Sequence, residues 1–454
     1  MDRPIGMGGH FTNVFKDDKW LQWRLVPFIL IWAAFAVLLL VRISPLPSSA
    51  PPTRPTDVDF PPDIQIWLFV TLFVPNPRKP HPSEKTFTTV DKTGDVTDPE
   101  PLPCWYDDAL RKYVKAKQED PDKDIDVEKE IEPAELFMTL VIPAFNEEDR
   151  LTGMLEEAVN FLETEYGTSS ATAEVDKETG QTQATGPRRR KANGGAAAAS
   201  AASQSQQQDP LRGWEILLVD DGSTDDTLLT AQTFSRKHIL HPHPRRDSGP
   251  WTHRSPTGVK IPPGSIRMVS LEENRGKGGA VTHGMRHARG QYVVFADADG
   301  ASKFPDLEKL VRVCREIEDA EGRAIAVGSR AHLVDSEAVV KRSKLRNFLM
   351  RCFHMLLWVM TPPATARIKD TQCGFKLFSR PTLPYIVPHM HMEGWIFDVE
   401  MLMLAEFADI PVAEVAVGWR EVTGSKLNLV RDSLGMAWGL AILRFCWGTG
   451  IFRR

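Results

Sequence analysis

The sequence predicts an α/β fold built on a mainly parallel β-sheet with helices on both faces. Three observations carry this. Between residues 136 and 328, five short apolar runs rich in β-formers alternate with longer amphipathic stretches, the pattern of successive βαβ units. Each of the first four runs ends in an acidic or glycine-rich block, where open α/β sheets bind ligands, beyond the carboxyl ends of the strands. The chain has 454 residues and is 42% hydrophobic, enough for one large domain with accessories or for two domains.

The elements follow in order. After a tail over residues 1–24, an anchor is expected over 25–43, built on Leu25–Val41, which carries no charge across its 17 residues. That is the short end of the range for a membrane span. Pro27 falls in the first turn, where a helix accepts it, and Trp20, Trp23, Trp32, Arg24 and Arg42 suit interfacial anchoring. A cleaved signal peptide is the rival reading, but its apolar region is normally shorter, about 7–15 residues. The flanking charges, Lys16, Lys19 and Arg24 before and Arg42 and Arg54 after, do not decide the orientation.

Residues 44–135, richest in proline over 44–103, read as a tether with little regular structure. Within it, 64–74 is an apolar run too short to span a bilayer. From 136 the alternation begins. Strands are expected at 137–143, 214–219, 266–271, 292–296 and 324–328, and helices at 147–166, 225–238, 277–288 and 305–318. Two insertions interrupt them. Residues 167–213 contain GPRRRK, an Ala/Ser run and QSQQQ, a composition that cannot bury a core and predicts disorder. Residues 241–264 are a second polar, proline-rich insertion, also expected to be disordered.

Further on, 341–360 mixes basic residues with Leu345, Phe348, Leu349, Phe353, Leu356, Leu357 and Trp358. It reads as a helix lying at lipid headgroup level; the alternative is an ordinary buried amphipathic helix. The final segment, 431–454, carries an apolar run over 436–452 with Trp438, Trp447 and Arg444, a second candidate interfacial element.

The charge of −5 without a dominant basic tract argues against nucleic acid as main partner. Five cysteines, an odd number without C-x-x-C spacing, read as reduced thiols in a cytosol-facing protein with no zinc site. His389 and His391 lack a third ligand nearby and make a poor metal pair.

The most informative block is YVVFADADGAS, residues 292–302. An apolar strand delivers Asp297 and Asp299 two residues apart, on one side of an extended segment. Such a pair suits Mg²⁺ or Mn²⁺, because a hard cation takes one or two protein carboxylates and completes its shell with substrate phosphates. A solvated acidic turn is the alternative for a lone D-x-D. Upstream, PAFNEE (143–148) and DDGSTD (220–225) place acids and amides at strand ends, where they can bind a base and a ribose. The same residues offer helix caps at Asn146 and at Ser223 or Thr224. NRGKGG (274–279) opens a helix with glycines and Lys277. That suits either a phosphate at the helix N-terminus or a packing turn, and the block is neither a full G-x-G-x-x-G nor a P-loop.

Taken together, PAFNEE, VDDGSTDDT, NRGKGGAV and DADGAS, in that order, resemble the inverting, metal-dependent nucleotide-sugar glycosyltransferases of glycosyltransferase family 2, with their Rossmann-like GT-A fold. GSRAH (328–332), KDTQCGFKLF (369–378), WIFDVEML (395–402) and WREVTGSKL (419–427) narrow the resemblance to the dolichyl-phosphate β-glucosyltransferases of the endoplasmic reticulum. It covers most of 136–454 and implies a catalytic domain over 136–430.

The resemblance implies UDP-glucose as donor, dolichyl phosphate as acceptor, and dolichyl β-D-glucosyl phosphate, the lipid-linked glucose donor for protein N-glycosylation, as product. It implies a single-pass protein of the endoplasmic reticulum membrane with its catalytic domain facing the cytosol. Pro143, Ala144, Phe145, Glu147, Asp220, Asp221, Lys277, Gly278 and Asp297 would surround UDP, and Asp297 and Asp299 would hold the metal. Ala301 stands where related mannose synthases often carry an amide.

Arg330, Arg342, Ser343 and Arg346 are candidates for the acceptor phosphate, since guanidinium forks suit phosphates. Ser425 and Lys426 are candidates for a closing loop over phosphate. A phosphate monoester already carries roughly −1.5 to −2 charge, its second pKa being about 6, so no obligatory base is expected. Asp398 and Glu400 are the candidates if one exists; they could equally orient sugar hydroxyls or basic partners. The rival readings are a dolichyl-phosphate mannosyltransferase using GDP-mannose, a processive polysaccharide synthase, and a membrane-tethered, non-catalytic binding module.

Overall fold

A computed structural model describes residues 74–120, 131–167, 211–245, 251, 255–333, 344–422 and 429–452. The expected anchor, and residues 168–210 of the first insertion, lie outside the described residues. In chain order the elements are β1 (Thr86–Phe87), β2 (Glu100–Pro101), α1 (Trp105–Glu119), β3 (Leu136–Ala144), α2 (Glu148–Tyr166), β4 (Trp214–Asp220) and α3 (Thr227–Leu240). Then come β5 (His243–Arg245), β6 (Ser255–Val259), β7 (Ile266–Ser270), α4 (Gly276–Arg286), β8 (Gly290–Ala296) and α5 (Leu307–Ile317). The remainder is β9 (Ile325–Ser329), α6 (Lys344–Met360), β10 (Phe375–Ser379), α7 (Phe397–Phe407), β11 (Val412–Ala416) and α8 (Leu429–Thr449), with a few short helical turns between.

The main sheet has seven strands in the order β11-β9-β10-β8-β3-β4-β7. All five predicted strands are in it. Strands β7, β4, β3 and β8 run parallel, and β11 runs parallel to β9. Strand β10, which periodicity did not reveal, is wedged antiparallel between β8 and β9. From β3 the chain winds outward through β4 to β7, then returns to β3's other side as β8. The order reverses between β3 and β8, which is where such sheets open a ligand crevice.

Both faces of the sheet are buried, so the strands read as continuous apolar runs. Val141, Leu217, Val219, Val293 and Phe295 point to one face, with α4, α7 and α8. Leu140, Ile142, Ile216, Leu218 and Val294 point to the other, with α2, α3 and α5. Each such buried side chain stabilises the fold by about 1.5–3 kcal/mol.

The structure corrects the tether. Residues 74–120 are packed onto the domain: Phe87, Val90, Leu102 and Trp105 are buried. Thr88 pairs antiparallel with Met268 of β7 through bonds of 2.9 and 2.8 Å, which covers an otherwise open sheet edge. The Trp105 indole donates to Met285 O at 2.8 Å, His287 Nδ1 to Pro103 O at 2.8 Å and His283 Nε2 to Glu84 O at 2.9 Å. Proline density hid the extended part of this strap, which along an edge needs few apolar anchors and no periodic pattern; helix α1, beyond the proline-rich stretch, was missed although Trp105 and Ala109 bury one of its faces. The second insertion is corrected in part as well. Its ends pair as the antiparallel strands β5 and β6, and Ile261 is buried, with its N–H on His238 O.

Helices α6 and α8 form where the two interfacial segments were expected and pack against each other. Leu357, Met360, Leu440, Leu443 and Cys446 are buried, while Met355, Trp358, Leu434 and Trp438 are 62%, 66%, 67% and 42% exposed. One face of each helix belongs to the core and the other is apolar and open. No described helix is long and apolar enough to cross a membrane.

Candidate active site

The end of β8 carries the two aspartates. Lys277, in the first turn of α4, reaches across so that its Nζ lies 2.5 Å from Asp297 Oδ1. Asp299 is bonded through Oδ1 to the Ala301 N–H at 2.9 Å. Burial, and then the neighbouring Asp297 carboxylate, push the Asp299 carboxyl up. Burial opposes the charge on Lys277, but Asp297 and then Asp398 overcome it and raise its pKa. Asp398, in the first turn of α7, is buried and paired with Lys376 of β10; burial pushes its carboxyl up against the pull of Lys376 and Lys277.

A divalent cation fits this donor set. Two carboxylates two positions apart follow the end of the strand, and a cation between them would relieve their repulsion. No third His, Cys, Asp or Glu joins them as a ligand group among the described residues, so diphosphate and water oxygens would complete the shell, as Mg²⁺ prefers. Ala301, 5% exposed, offers it no side-chain ligand.

Beside this lie the ends of β3 and β4. Asn146 takes a positive φ of 54°, which Asn tolerates better than most residues. Its N–H donates to Ser223 Oγ at 2.8 Å, and its Oδ1 accepts from the Thr224 N–H at 2.7 Å. The Glu147 N–H donates to Thr227 Oγ1, and the Asp226 N–H to Glu148 Oε2, both at 2.8 Å. Neither α2 nor α3 has a side-chain cap bond at its N-cap residue. Asn146, Ser223 and Thr224 therefore stitch the two loops together instead of capping.

Pro143 and Ala144 close β3 against Val219 and Asp220, and Phe145 follows, exposed. Glu147 grips Arg150 through bonds of 2.7 and 2.5 Å. Asp220 is buried and accepts the Ser223 N–H. Asp221 Oδ1 accepts the Arg275 N–H at 2.7 Å, so it ties NRGKGG to β4; burial pushes its carboxyl up to about 6 against that bond.

The glycine block does more packing than its pattern suggested. A Cβ on Gly278 would stand 2.6 Å from Phe397 Cβ and 2.7 Å from Met392 O, and one on Gly276, at φ +80°, 2.7 Å from Glu393 O. The Gly279 N–H already donates to Glu393 O. Gly278 thus seats α4 on the 392–397 segment, and Lys277 is the member of the block that faces the aspartates.

Two further candidates are reassigned. Glu400 is buried and accepts the N–H groups of His391 and Met392 at 2.9 and 2.7 Å. Two positions on from Asp398 in a helix, it faces another way and braces that loop. His391 stacks on Phe452 at 3.7 Å. Arg330 forms a two-pronged pair with Asp370 at 2.7 and 2.9 Å, so its fork is committed to a carboxylate. Arg346 falls on α6, but its side chain, with Arg342, Ser343, Ser425 and Lys426, lies outside the described residues.

Sequence reading missed four contributors. Lys376, Asp370 and Gly374 sit in KDTQCGFKLF; a lysine inside an apolar five-residue run was the available signal. Trp251 is the fourth, in the second insertion. Its indole donates to Ala301 O at 3.1 Å, with the Arg420 guanidinium 4.3 Å from its ring centre. The Arg420 N–H reaches the same carbonyl at 3.0 Å, and Trp419 bridges Ser302. The WRE block is thus fastened to the exit of the aspartate strand.

Comparison with known proteins decides the family. The family model described as glycosyl transferase family 2 matches residues 259–378, from the end of β6 through nearly all of β10. The dolichyl-phosphate β-glucosyltransferase of Saccharomyces cerevisiae is 34% identical over 396 residues, 86% of this chain and 92% of that protein. The chain belongs to the dolichyl-phosphate β-glucosyltransferase family. Family members from Dictyostelium discoideum and Homo sapiens are 36% and 34% identical, each covering 70% of this chain and 77% of their own length. Among solved structures, glucosyl-3-phosphoglycerate synthase of Mycobacterium tuberculosis with UDP aligns over 67% of this chain and 80% of its own, at 15% identity and a TM-score of 0.38. The mainly parallel sheet of this family member is that of a GT-A-like α/β fold.

Proposed function

We propose that this protein transfers glucose from UDP-glucose to dolichyl phosphate with inversion, giving dolichyl β-D-glucosyl phosphate. The observation that carries the reading is the cluster of Asp297, Asp299 and Lys277 at the sheet's switch point, in a chain 34% identical over 86% of its length to a dolichyl-phosphate β-glucosyltransferase.

Asp297 and Asp299 would hold Mg²⁺ or Mn²⁺, which supplies positive charge to the departing diphosphate. Lys277 adds a second, protein-borne charge on the same side. Asp220 and the cross-bonded loops at the ends of β3 and β4 bind and orient the nucleoside, with Phe145 offering an exposed ring. The acceptor oxygen is already an anion, so positioning and charge screening dominate the barrier. Asp398 and Glu400, both buried and already bonded, support a reaction without a general base at the acceptor.

The lipid acceptor calls for a membrane surface. The open apolar faces of α6 and α8, with Trp358 and Trp438, suit the headgroup layer, and residues 25–43 suit a single-pass anchor in the endoplasmic reticulum membrane with the catalytic domain in the cytosol. Arg342, Ser343, Arg346, Ser425 and Lys426 remain the proposed receivers of phosphate.

The test is transfer of labelled sugar to dolichyl phosphate from UDP-glucose and from GDP-mannose, with Mn²⁺ or EDTA, and with Asp299→Ala as control. Glucosyl transfer abolished by EDTA and by the substitution is expected. Mannosyl transfer alone would overturn the donor assignment, and no transfer by folded protein would overturn the enzyme.

A further inference from the structure

Lys376 is the second residue of β10 and has no accessible surface, and the reaction above does not use it. Its Nζ donates to Cys373 O at 2.7 Å and pairs with Asp398, and it lies 5.3 Å from the centre of the Phe295 ring. Burying an ion pair costs about as much as its attraction returns, and apolar pairs of similar volume often serve stability as well or better. Joining β10 to α7 therefore gives no strong reason for these charges.

The surroundings supply one. Lys277 Nζ is paired with Asp297 at 2.5 Å and sits 5.9 Å over the ring of Phe397, the residue before Asp398, and Gly278 packs against that same Phe397. The charges alternate from Asp297 to Lys277 to Asp398 to Lys376. At the far end, the Cys373 carbonyl held by Lys376 immediately precedes Gly374, whose backbone lies against the Asp297 carboxylate.

We propose that Lys376 is a positioning residue for the donor site. It holds Asp398 beside Lys277, which sets where the Lys277 ammonium rests, and it seats Gly374 against Asp297. Were Asp297 to hold a cation, Asp398 would be the carboxylate left to keep Lys277 in the site. The inference rests on the reading of Asp297 and Lys277 as diphosphate-side groups.

The test is equilibrium binding of UDP to the full chain, with and without Mn²⁺, together with steady-state kinetics and melting temperature. For Lys376→Met the UDP dissociation constant with Mn²⁺ and the KM for UDP-glucose are expected to rise on the order of tenfold. The KM for dolichyl phosphate should stay unchanged. Wild-type UDP binding by a folded Lys376→Met protein would overturn the proposal. Should that variant fail to fold, Lys376→Met with Asp398→Leu removes the uncompensated carboxylate. Weakened UDP binding in the double variant supports the positioning role, and wild-type binding reduces the pair to a structural element. Failure of the unsubstituted protein to bind UDP would sink the donor-site reading and this inference with it.

Discussion

Gly374 is packed against the carboxylate of Asp297. A Cβ at Gly374 would lie 2.2 Å from Asp297 Oδ2 and 2.4 Å from Cγ, and the Gly374 carbonyl accepts the Asp297 N–H at 3.2 Å. Nothing at that position can be larger than hydrogen without displacing a proposed metal ligand. Gly374→Ala is expected to weaken Mn²⁺-dependent UDP binding by roughly 100-fold, since displacements near 1 Å carry such costs. Calorimetry beside a melting curve within a few degrees of wild type would check it.

Removing the cation should have a comparable effect. Asp299 is half-buried beside Asp297, and Asp299→Asn keeps its shape while halving the charge offered to a cation. Transfer is expected to fall by about 100-fold or more, and EDTA should do the same to the wild type. Titrating Mn²⁺ and Mg²⁺ back should restore the wild type and leave Asp299→Asn largely inactive.

Two buried histidines should give the protein an acid-side weakness. Burial is the main cause that holds His283 down to about 3 and His287 down to about 4, against 6.5 for the free ring. Below pH 6.5 the unfolded chain takes up protons that the folded chain refuses. Their contribution to stability is thus complete above pH 6.5 and is lost as pH falls towards 4 and then 3. Each contributes a slope of up to about 1.4 kcal/mol per pH unit in that window. His287→Asn, which keeps a donor for Pro103 O, should show a flatter decline from pH 6.5 to 4 in urea titrations.

The strap over residues 74–120 should be indispensable to the fold. Trp105 is 5% exposed and its indole N–H is bonded to Met285 O. Trp105→Ala is expected to cost about 3–5 kcal/mol, read by urea denaturation. A chain beginning at residue 74 should fold, whereas one beginning at 131 should aggregate, its edge strand β7 uncovered.

Arg330 separates two roles by the readout it moves. Its bidentate pair leaves Arg330 32% and Asp370 12% exposed, so losing it should cost less than a fully buried pair, about 2 kcal/mol. Arg330→Met is therefore expected to lower the melting temperature. A raised KM for dolichyl phosphate at unchanged stability would instead assign Arg330 to the acceptor.

Strands β3, β4, β7, β8 and β9 were legible because each is a short run of apolar residues between polar turns, and local composition alone produces that pattern. Asp297 and Asp299 were legible as a carboxylate pair following an apolar run, but strand alternation does not place them: β8 ends at Ala296 and Asp299 lies in the turn beyond it. Lys277 was legible as a cation in a helix-opening turn. Strand β10 was not. FKLFS is five residues long with a lysine at its second position, and only a partner 22 residues on, Asp398, makes a buried lysine tolerable. The roles of Glu400 and Gly278 were also hidden, because a carboxylate or a glycine has the same local signature whether it meets a ligand or a backbone loop.

The sequence by itself determined the order of the parallel units, the position of the acidic pair and the family resemblance, all consequences of neighbours along the chain. Only the tertiary structure decided that the proline-rich strap is part of the domain, that Arg330 belongs to Asp370, and that Lys376 stands behind Lys277 and Asp297. Those are contacts between residues far apart in sequence. Burial makes an unpaired charge or an open sheet edge costly, so the folded chain must find partners that no local pattern announces.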